Sequence, residues 1–270
     1  MTASKICTLI GSDKGGVGKS LLSQLLIVAY DQASRPLKVV EIDNQRTLSS
    51  VFGDRVDMSI DAAPGSSASG RVSVADHFAR PYGLWSRMDS VTDLGANVTT
   101  PILAWMREQD VASLAQEDNI QFRFLTVAIP DEQSIRSAMA SIEQARDAMG
   151  KDADIYLVLN DTVGLSGFAP YEATPSWKKL QDLIRSHNVE IISIPHCTSR
   201  LMDWGRAHGL TILQILANGD KVDNICQLAG FNRLQRKMEI RAFIDWVRQV
   251  QVAMTPLFTS QARETVVAAE

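Results

Sequence analysis

The stretch "GSDKGGVGKS", residues 11–20, holds four glycines and two lysines, Lys14 and Lys19. It follows the apolar run "KICTLIGS" (5–12), which predicts a buried strand, and leads into "KSLLSQLLIVAYDQ" (19–32), whose apolar residues have helical spacing. A glycine-rich loop between a strand and a helix N-terminus offers consecutive backbone N–H groups and a partial positive charge to phosphate. The stretch therefore predicts a phosphate-binding loop.

The residues within this loop predict an ATP and Mg²⁺ site. The general pattern G-x-x-x-x-G-K-[ST] is met except at its first position, where Asp13 replaces glycine. Lys19 is expected to contact the β- and γ-phosphates, and the hydroxyl of Ser20 to bind Mg²⁺. Glycine lets the backbone approach phosphate oxygens because it has no Cβ. The predicted nucleotide-binding residues of the loop are Asp13, Gly15, Gly16, Val17, Gly18, Lys19, Ser20 and Leu21.

The segment "KGGVGKS" (14–20) resembles the deviant Walker A box, K-G-G-x-G-K-[ST], of the ParA/MinD family of P-loop ATPases. In that family the additional lysine, here Lys14, reaches across a dimer interface to the nucleotide phosphates of the partner subunit. A cation supplied in this way stabilises phosphoryl charge only when two subunits face each other. The resemblance implies an ATP-dependent homodimer with Lys14 and Lys19 as catalytic residues.

A second family motif, D-x-D-P-Q at the end of the second strand, is similar to "EIDNQ" (41–45). Glu41 stands where the family has its first aspartate, and Asn44 replaces the proline. By resemblance, Asp43 orients the attacking water near Mg²⁺. Asp43 is thus expected both as a catalytic residue and at the metal.

The third family motif, Walker B, is an apolar strand that ends in an aspartate. Chain order favours Asp93 in "VTDLGAN" (91–97) as the metal residue, although the preceding "RMDS" is polar for a central strand. Asp161, after the more apolar "IYLVLN", is the alternative, and neither residue is a third possibility. By resemblance, Asn160 contacts the adenine edge, and Pro195 and His196 line the base pocket.

Strands and helices alternate along the rest of the chain. Further strands are predicted at 37–43, 87–95, 121–129, 153–160 and 189–195, and further helices at 131–149, 176–188 and beyond 200. Residues 53–88 read as loop-rich, with one short helix near 72–80. This order predicts an α/β fold, doubly wound, with a mainly parallel sheet and helices on both faces. We expect one domain, 1–270, with a helical C-terminal portion at about 216–270.

Composition limits the partners. The net charge is −4 and the sequence pI about 5.6, so any surface for nucleic acid must be local. The predicted last helix carries Arg233, Lys237, Arg241 and Arg248 near one face, which is either a solvated basic face or a DNA-backbone patch. The longest apolar run is too short for a membrane span, and the cysteines form no C-x-x-C motif. These features predict a soluble cytoplasmic protein without a membrane partner.

The function that the resemblance implies is a weak ATPase, stimulated by a partner protein, that acts as a dimerising switch in plasmid or chromosome partition. Non-specific DNA binding in the ATP state is expected with it. An accessory ATPase of conjugative transfer or mobilisation, or one that positions another assembly, is the alternative. A metabolic P-loop synthetase of the dethiobiotin type shares the fold but would not need Lys14.

Overall fold

The computed structural model describes residues 4–64, 66–67, 70–71, 73–164, 166–217 and 219–258. In these residues the strands are β1 (Lys5–Gly11), β2 (Lys38–Ile42), β3 (Met58–Ile60), β4 (Ser66–Ser67), β5 (Gly70–Arg71), β6 (Ser90–Leu94), β7 (Ile120–Ala128), β8 (Asp154–Asn160) and β9 (Glu190–Ile194).

The α-helices of the described residues are α1 (Lys19–Gln32), α2 (Thr47–Phe52), α3 (Val74–Ala79), α4 (Tyr82–Trp85), α5 (Thr99–Glu108), α6 (Val111–Glu117), α7 (Glu132–Met149), α8 (Pro175–Ser186), α9 (Leu201–Ala207), α10 (Ile212–Ala217), α11 (Gly219–Leu228) and α12 (Arg233–Ala253). Short 3₁₀ turns lie at Gly53–Arg55 and Ala169–Tyr171.

Seven strands form one parallel sheet in the order β3-β2-β6-β1-β7-β8-β9. β1 pairs in parallel with β6 on one side and β7 on the other, so the chain turns from one half of the sheet to the other at β1. Parallel neighbours need crossover connections, which the intervening helices supply. The predicted doubly wound α/β class is confirmed. Its switch point, where ligands bind in such folds, lies at the carboxyl end of β1.

The polar strand β6 lies in the middle of the sheet, where only some of its polar groups find partners. All five of its residues are buried. Thr92 accepts a hydrogen bond from the indole of Trp85 at 3.0 Å, and Asp89, just before the strand, accepts one from the backbone of Ile6 at 2.9 Å. Buried polar groups are tolerated when they are hydrogen-bonded. Thr92 is accommodated in this way, whereas the hydroxyl of Ser90 and the Oδ1 of Asp93 have no hydrogen-bond partner among the described residues.

The chain divides into two compact units, Met1–Val158 with Phe168–Ile191, and Leu159–Gly167 with Ile192–Glu270. The first unit contains the glycine loop. In the second unit, α9 to α12 share an apolar interior whose members include Leu201, Ile225, Phe243, Trp246 and Val250. The expectation of a single domain stays a prediction, and residues 259–270 of the predicted helical tail lie outside the described residues.

The loop-rich stretch 53–88 contains α3, which begins after Ser73 within the predicted window of 72–80. The hydroxyl of Ser73 accepts the backbone N–H of Asp76 at 3.0 Å, as a helix N-cap does. Residues 65, 68, 69 and 72 lie outside the described part of this stretch. Among the helices that the structure describes, none is both long and apolar enough to cross a membrane.

Candidate functional site

The glycine loop connects the end of β1 to the start of α1. Gly16 and Gly18 have φ of 75° and 102°, in the left-handed region that favours glycine. Gly18 is the N-cap of α1, and no side chain of the described residues caps this helix end. The first N–H groups of a helix need partners from outside the helix, and an anion can supply them. The loop therefore has the backbone geometry of an anion site.

Lys19 lies at the centre of this loop. Its side chain is 7% exposed, and its ammonium donates to the backbone oxygen of Lys14 at 3.2 Å. Burial lowers the pKa of Lys19, while the charges of Asp93, Asp43 and Asp13 act in the opposite direction. Three carboxylates close enough to influence one buried ammonium define a polar site next to the loop.

Asp93 is the buried acid of this site. It lies opposite Ile10 in the register of β6 and β1 and is 1% exposed. Burial raises its pKa to about 7, against the lowering influence of the hydroxyls of Ser20 and Ser23 and the charge of Lys19. Its Oδ1 has no hydrogen-bond partner among the described residues. An unpartnered carboxylate oxygen beside a serine hydroxyl suits a hard cation such as Mg²⁺.

Asp43 reaches the same region from the end of the neighbouring strand. Its Oδ1 accepts the backbone N–H of Gln45 at 3.2 Å. The backbone of Gly95 donates to the oxygen of Ile42 at 2.8 Å, so the two strand ends are tied together. A Cβ on Gly95 would collide with the Asp43 carboxylate. Glycine at position 95 is therefore what lets Asp43 lie against the end of β6.

Glu41 is fully buried and serves a different purpose. Its Oε1 accepts the backbone N–H of Leu48 at 2.5 Å, and its Oε2 accepts the N–H of Ser49 at 3.2 Å and the hydroxyl of Ser59 at 3.1 Å. These partners lie at the start of α2 and on β3. Glu41 thus fixes the segment that follows Asp43, and both of its oxygens are used in doing so.

Lys14 is bound within its own subunit. Its ammonium forms an ion pair with Asp131 and lies 3.5 Å from the side-chain oxygen of Gln133. Asp131 is also the N-cap of α7 and accepts the N–H of Ser134 at 2.8 Å. The Lys14 ammonium, followed by the Ser134 N–H, holds the pKa of Asp131 below its usual value. The lysine singled out by the sequence thus contacts the start of α7 in this structure.

Asp13, the departure from the general loop pattern, attaches the loop to α5. Its carboxylate accepts hydrogen bonds from the backbone N–H of Thr100, at 3.3 Å, and from the hydroxyl of the same residue. Thr100 lies in the first turn of α5. A glycine at position 13 would lack this attachment.

The predicted adenine residues belong to the second unit. Asn160 is 7% exposed at the end of β8. The backbone oxygen of Pro195 accepts the indole N–H of Trp246 at 2.7 Å. His196 lies beside Gly164, where a Cβ would come within 3.1 Å of its ring.

Asp161, the alternative metal residue, is engaged by its own loop. Its Oδ1 accepts the N–H groups of Val163 and Gly164 at 3.0 and 2.7 Å, and its Oδ2 that of Gly167 at 3.3 Å. Burial acts to raise the pKa of Asp161, but these N–H donors bring it below its usual value. This carboxylate organises a turn, whereas Asp93 has an oxygen available.

Sequence reasoning missed four contributors to this site: Ser23, Gly95, Thr100 and Asp131 in its contact with Lys14. Two of them carry a readable signal. Gly95 follows the aspartate of the third motif by two positions, and Ser23 follows Ser20 by three, which places both hydroxyls on one side of a helix. The partners of Asp13 and Lys14 are 87 and 117 residues away, and no local pattern announces them.

Comparison with solved structures finds similarity to a MinC:MinD cell division protein complex and to a MinD cell division protein, both of Aquifex aeolicus. The MinC:MinD complex matches with 14% sequence identity and a TM-score of 0.47, and MinD with 16% identity and a TM-score of 0.47. Each match covers 92% of this chain and 96% of that chain. No protein-family model and no curated protein matches the sequence.

Proposed function

We propose that this chain is an ATP-dependent dimerising ATPase that acts as a switch in the partition of plasmid or chromosomal DNA. The observation that carries the proposal is the convergence of a buried lysine, Lys19, and an incompletely partnered buried acid, Asp93, on a glycine loop that contains a second lysine, Lys14. Lys19 alone suits any phosphate loop. The presence of Lys14 is what favours an ATP-dependent homodimer.

The residues present fit ATP and Mg²⁺. The loop 13–20 with Leu21 would hold the triphosphate, and Ser20, Asp43 and Asp93 would hold the metal, which neutralises phosphate charge when bound. The orphaned Oδ1 of Asp93 supports this fit, since a buried carboxylate oxygen without a partner is costly unless a ligand supplies one. By resemblance, Asn160, Pro195 and His196 would contact the adenine.

The protein residues have separate roles in this proposal. Lys19 would neutralise the triphosphate, and Asp43 would orient a water molecule for attack, held against Gly95 and fixed by the segment that Glu41 anchors. Lys14 would leave Asp131 and bind the phosphates of the nucleotide in a second copy of the chain. Dimerisation would thus report the presence of ATP.

Hydrolysis would be slow and would be accelerated by a partner protein. In a switch of this kind, hydrolysis serves to dissociate the ATP-bound dimer and not to supply a metabolic product. The ATP-bound dimer would bind DNA without sequence preference, as segregation of a large DNA molecule requires. The proposed role in DNA segregation implies a cytoplasmic location.

The experiment that tests the proposal compares the oligomeric state of the wild type, Lys14→Ala and the control Lys178→Ala, which removes an exposed lysine from α8. With Mg²⁺ and ATP, the wild type and the control should become dimers, measured by light scattering after size exclusion. Lys14→Ala should stay monomeric while still binding ATP, because Lys19 is intact. A Lys14→Ala protein that dimerises as the wild type does would overturn the proposal.

A further inference from the structure

The second unit contains a helix, a short turn and a longer helix. α11 ends at Leu228, α12 begins at Arg233, and four residues connect them. Gly230 has φ of 69°, its N–H bonds to the oxygen of Gln227, and the N–H of Phe231 bonds to the oxygen of Cys226, both at 2.9 Å. This is the Schellman pattern, which ends a helix at a left-handed glycine. The exit direction of α11 is therefore set by backbone geometry.

The entry into α12 is fixed just as firmly. The Oδ1 of Asn232 accepts the N–H groups of Leu234 and Gln235, each at 3.0 Å. The side chain of Gln235 accepts the N–H of Asn232 in return at 2.9 Å, which completes a capping box. A helix end and a helix start, each capped, thus lie two residues apart. Two helices joined by a three- or four-residue turn that contains glycine have the layout of a helix-turn-helix unit.

Side chains hold the two helices together behind the turn. Arg236 of α12 forms an ion pair with Asp223 of α11 at 3.0 Å. Arg200 lies over the ring of Phe231 at 4.2 Å and bonds to Glu239 at 2.7 Å, so the turn is covered from the side of α9. The unit is therefore a fixed shape and presents a constant surface.

That surface is basic, although the chain carries a net charge of −4. Residues 233–241 contain four cations and a single acid, Glu239, whose side chain is only 12% exposed and faces Arg200. Arg233 and Lys237 are exposed and form no ion pair within the described residues. Cations one helical turn apart on an exposed helix attract an anionic polymer, since they neutralise its phosphates and release counterions.

We propose that α11 and α12 form a helix-turn-helix unit that binds duplex DNA, with the first half of α12 in the major groove. Leu234 and Met238 are 67% and 62% exposed beside Arg233 and Lys237. Exposed apolar side chains on such a helix can contact the thymine methyl groups, which lie in the major groove. The biological use of this surface rests on the proposed function in DNA partition: each monomer carries one copy of the surface and binds DNA without nucleotide, and the ATP-bound dimer, with two copies, binds more tightly.

The proposal is tested with the double variant Arg233→Gln/Lys237→Gln and the matched control Lys178→Gln/Lys179→Gln, which removes two exposed cations from α8. Binding of the full-length protein to a short fluorescent duplex is measured by anisotropy between about 50 and 200 mM salt. The double variant should bind roughly tenfold more weakly, and the slope of log affinity against log salt should fall by about 1.8, as expected for two lost phosphate contacts. The control should match the wild type.

Equal affinity and slope for wild type and double variant, or an equal loss in the control, would overturn the proposal. Circular dichroism and the thermal midpoint of the double variant should equal those of the wild type, since both replaced side chains are exposed.

A duplex whose thymine methyl groups are replaced by bulky substituents should bind more weakly to the wild type. Unchanged binding to that duplex would contradict docking in the major groove.

The two proposals fail separately. Lys14→Ala should bind the duplex without ATP as tightly as the wild type does, while Arg233→Gln/Lys237→Gln should still dimerise with ATP. Loss of nucleotide-free DNA binding in Lys14→Ala would contradict the helix-turn-helix proposal and leave the ATPase proposal standing. A wild type that does not dimerise with ATP would contradict the ATPase proposal and leave the helix-turn-helix proposal standing.

Discussion

Glu41 and Asp93 lie opposite each other on neighbouring strands, β2 and β6, and both are buried. The Glu41 carboxylate is satisfied by the start of α2 and by β3, so it holds the protein together. The Asp93 carboxylate keeps one oxygen without a partner among the described residues, beside the glycine loop. The difference teaches that burial alone does not identify a ligand-binding acid. What identifies it is the hydrogen-bonding capacity that the fold leaves unused.

The most severe test of this comparison removes the satisfied acid. Glu41→Ala should lower the free energy of unfolding by about 3 kcal/mol, because it leaves the buried N–H of Leu48 and the half-buried N–H of Ser49 without an acceptor. Denaturant titration measures the change. Glu143→Ala, an exposed glutamate on α7, should change stability by less than about 0.5 kcal/mol. A loss for Glu41→Ala no larger than that of the control would refute the anchoring role.

Replacement of the unsatisfied acid should have a smaller effect on stability and a different one on ligands. Asp93→Asn should change the free energy of unfolding by about 1 kcal/mol or less, in either direction, because it removes a buried charge that lacks a full set of partners. The stabilisation that Mg²⁺ adds to ATP in a thermal shift assay should disappear.

Asp161→Asn is the matched variant for this measurement, since it changes the alternative metal residue in the same way. It should keep the Mg²⁺-dependent shift, because the Asp161 oxygens are bound by backbone N–H groups of its own loop. If Asp161→Asn loses the shift and Asp93→Asn retains it, Asp161 rather than Asp93 is the acid that binds Mg²⁺.

The smallest expected effect concerns the acid that holds Lys14. Asp131→Asn removes the charge partner of the lysine but keeps a good N-cap for α7, so stability should change by about 0.5 kcal/mol or less. ATP-dependent dimerisation should strengthen by up to about 30-fold, since each dimer breaks two exposed ion pairs, one in each subunit, and each is worth at most about 1 kcal/mol. Sedimentation equilibrium gives the dissociation constant. A weaker dimer would mean that Asp131 is needed in the assembled state.

Local patterns predicted the fold well where the pattern and the environment agree. The predicted helix at 19–32 is α1 to the residue, and the strands at 121–129 and 153–160 are β7 and β8 within one residue at each end. In contrast, α5 and α6 had no prediction. Pro101 interrupts the pattern there, although it lies in the first turn of α5, where proline costs no hydrogen bond.

The candidate site was predictable as a set of residues but not as a set of contacts. The glycine loop announces a phosphate site because its chemistry is contiguous in sequence. Glu41 is hydrogen-bonded by α2, Asp161 by its own loop, and Lys14 is paired with Asp131. These contacts depend on how the folded chain brings its segments together. They distinguish Glu41 and Asp161, whose oxygens are hydrogen-bonded, from Asp93, although all three acids look equivalent in the sequence.

Asp131 shares its carboxylate between a lysine and a helix end, and this has a consequence for reversibility. When the ammonium departs, the carboxylate still receives the Ser134 N–H and still faces the positive end of an 18-residue helix. The carboxylate therefore stays hydrogen-bonded after the ion pair breaks. The free-energy cost of breaking the pair is low, and Lys14 can bind Asp131 again. Such a contact can be opened and closed many times without disturbing the core beneath it.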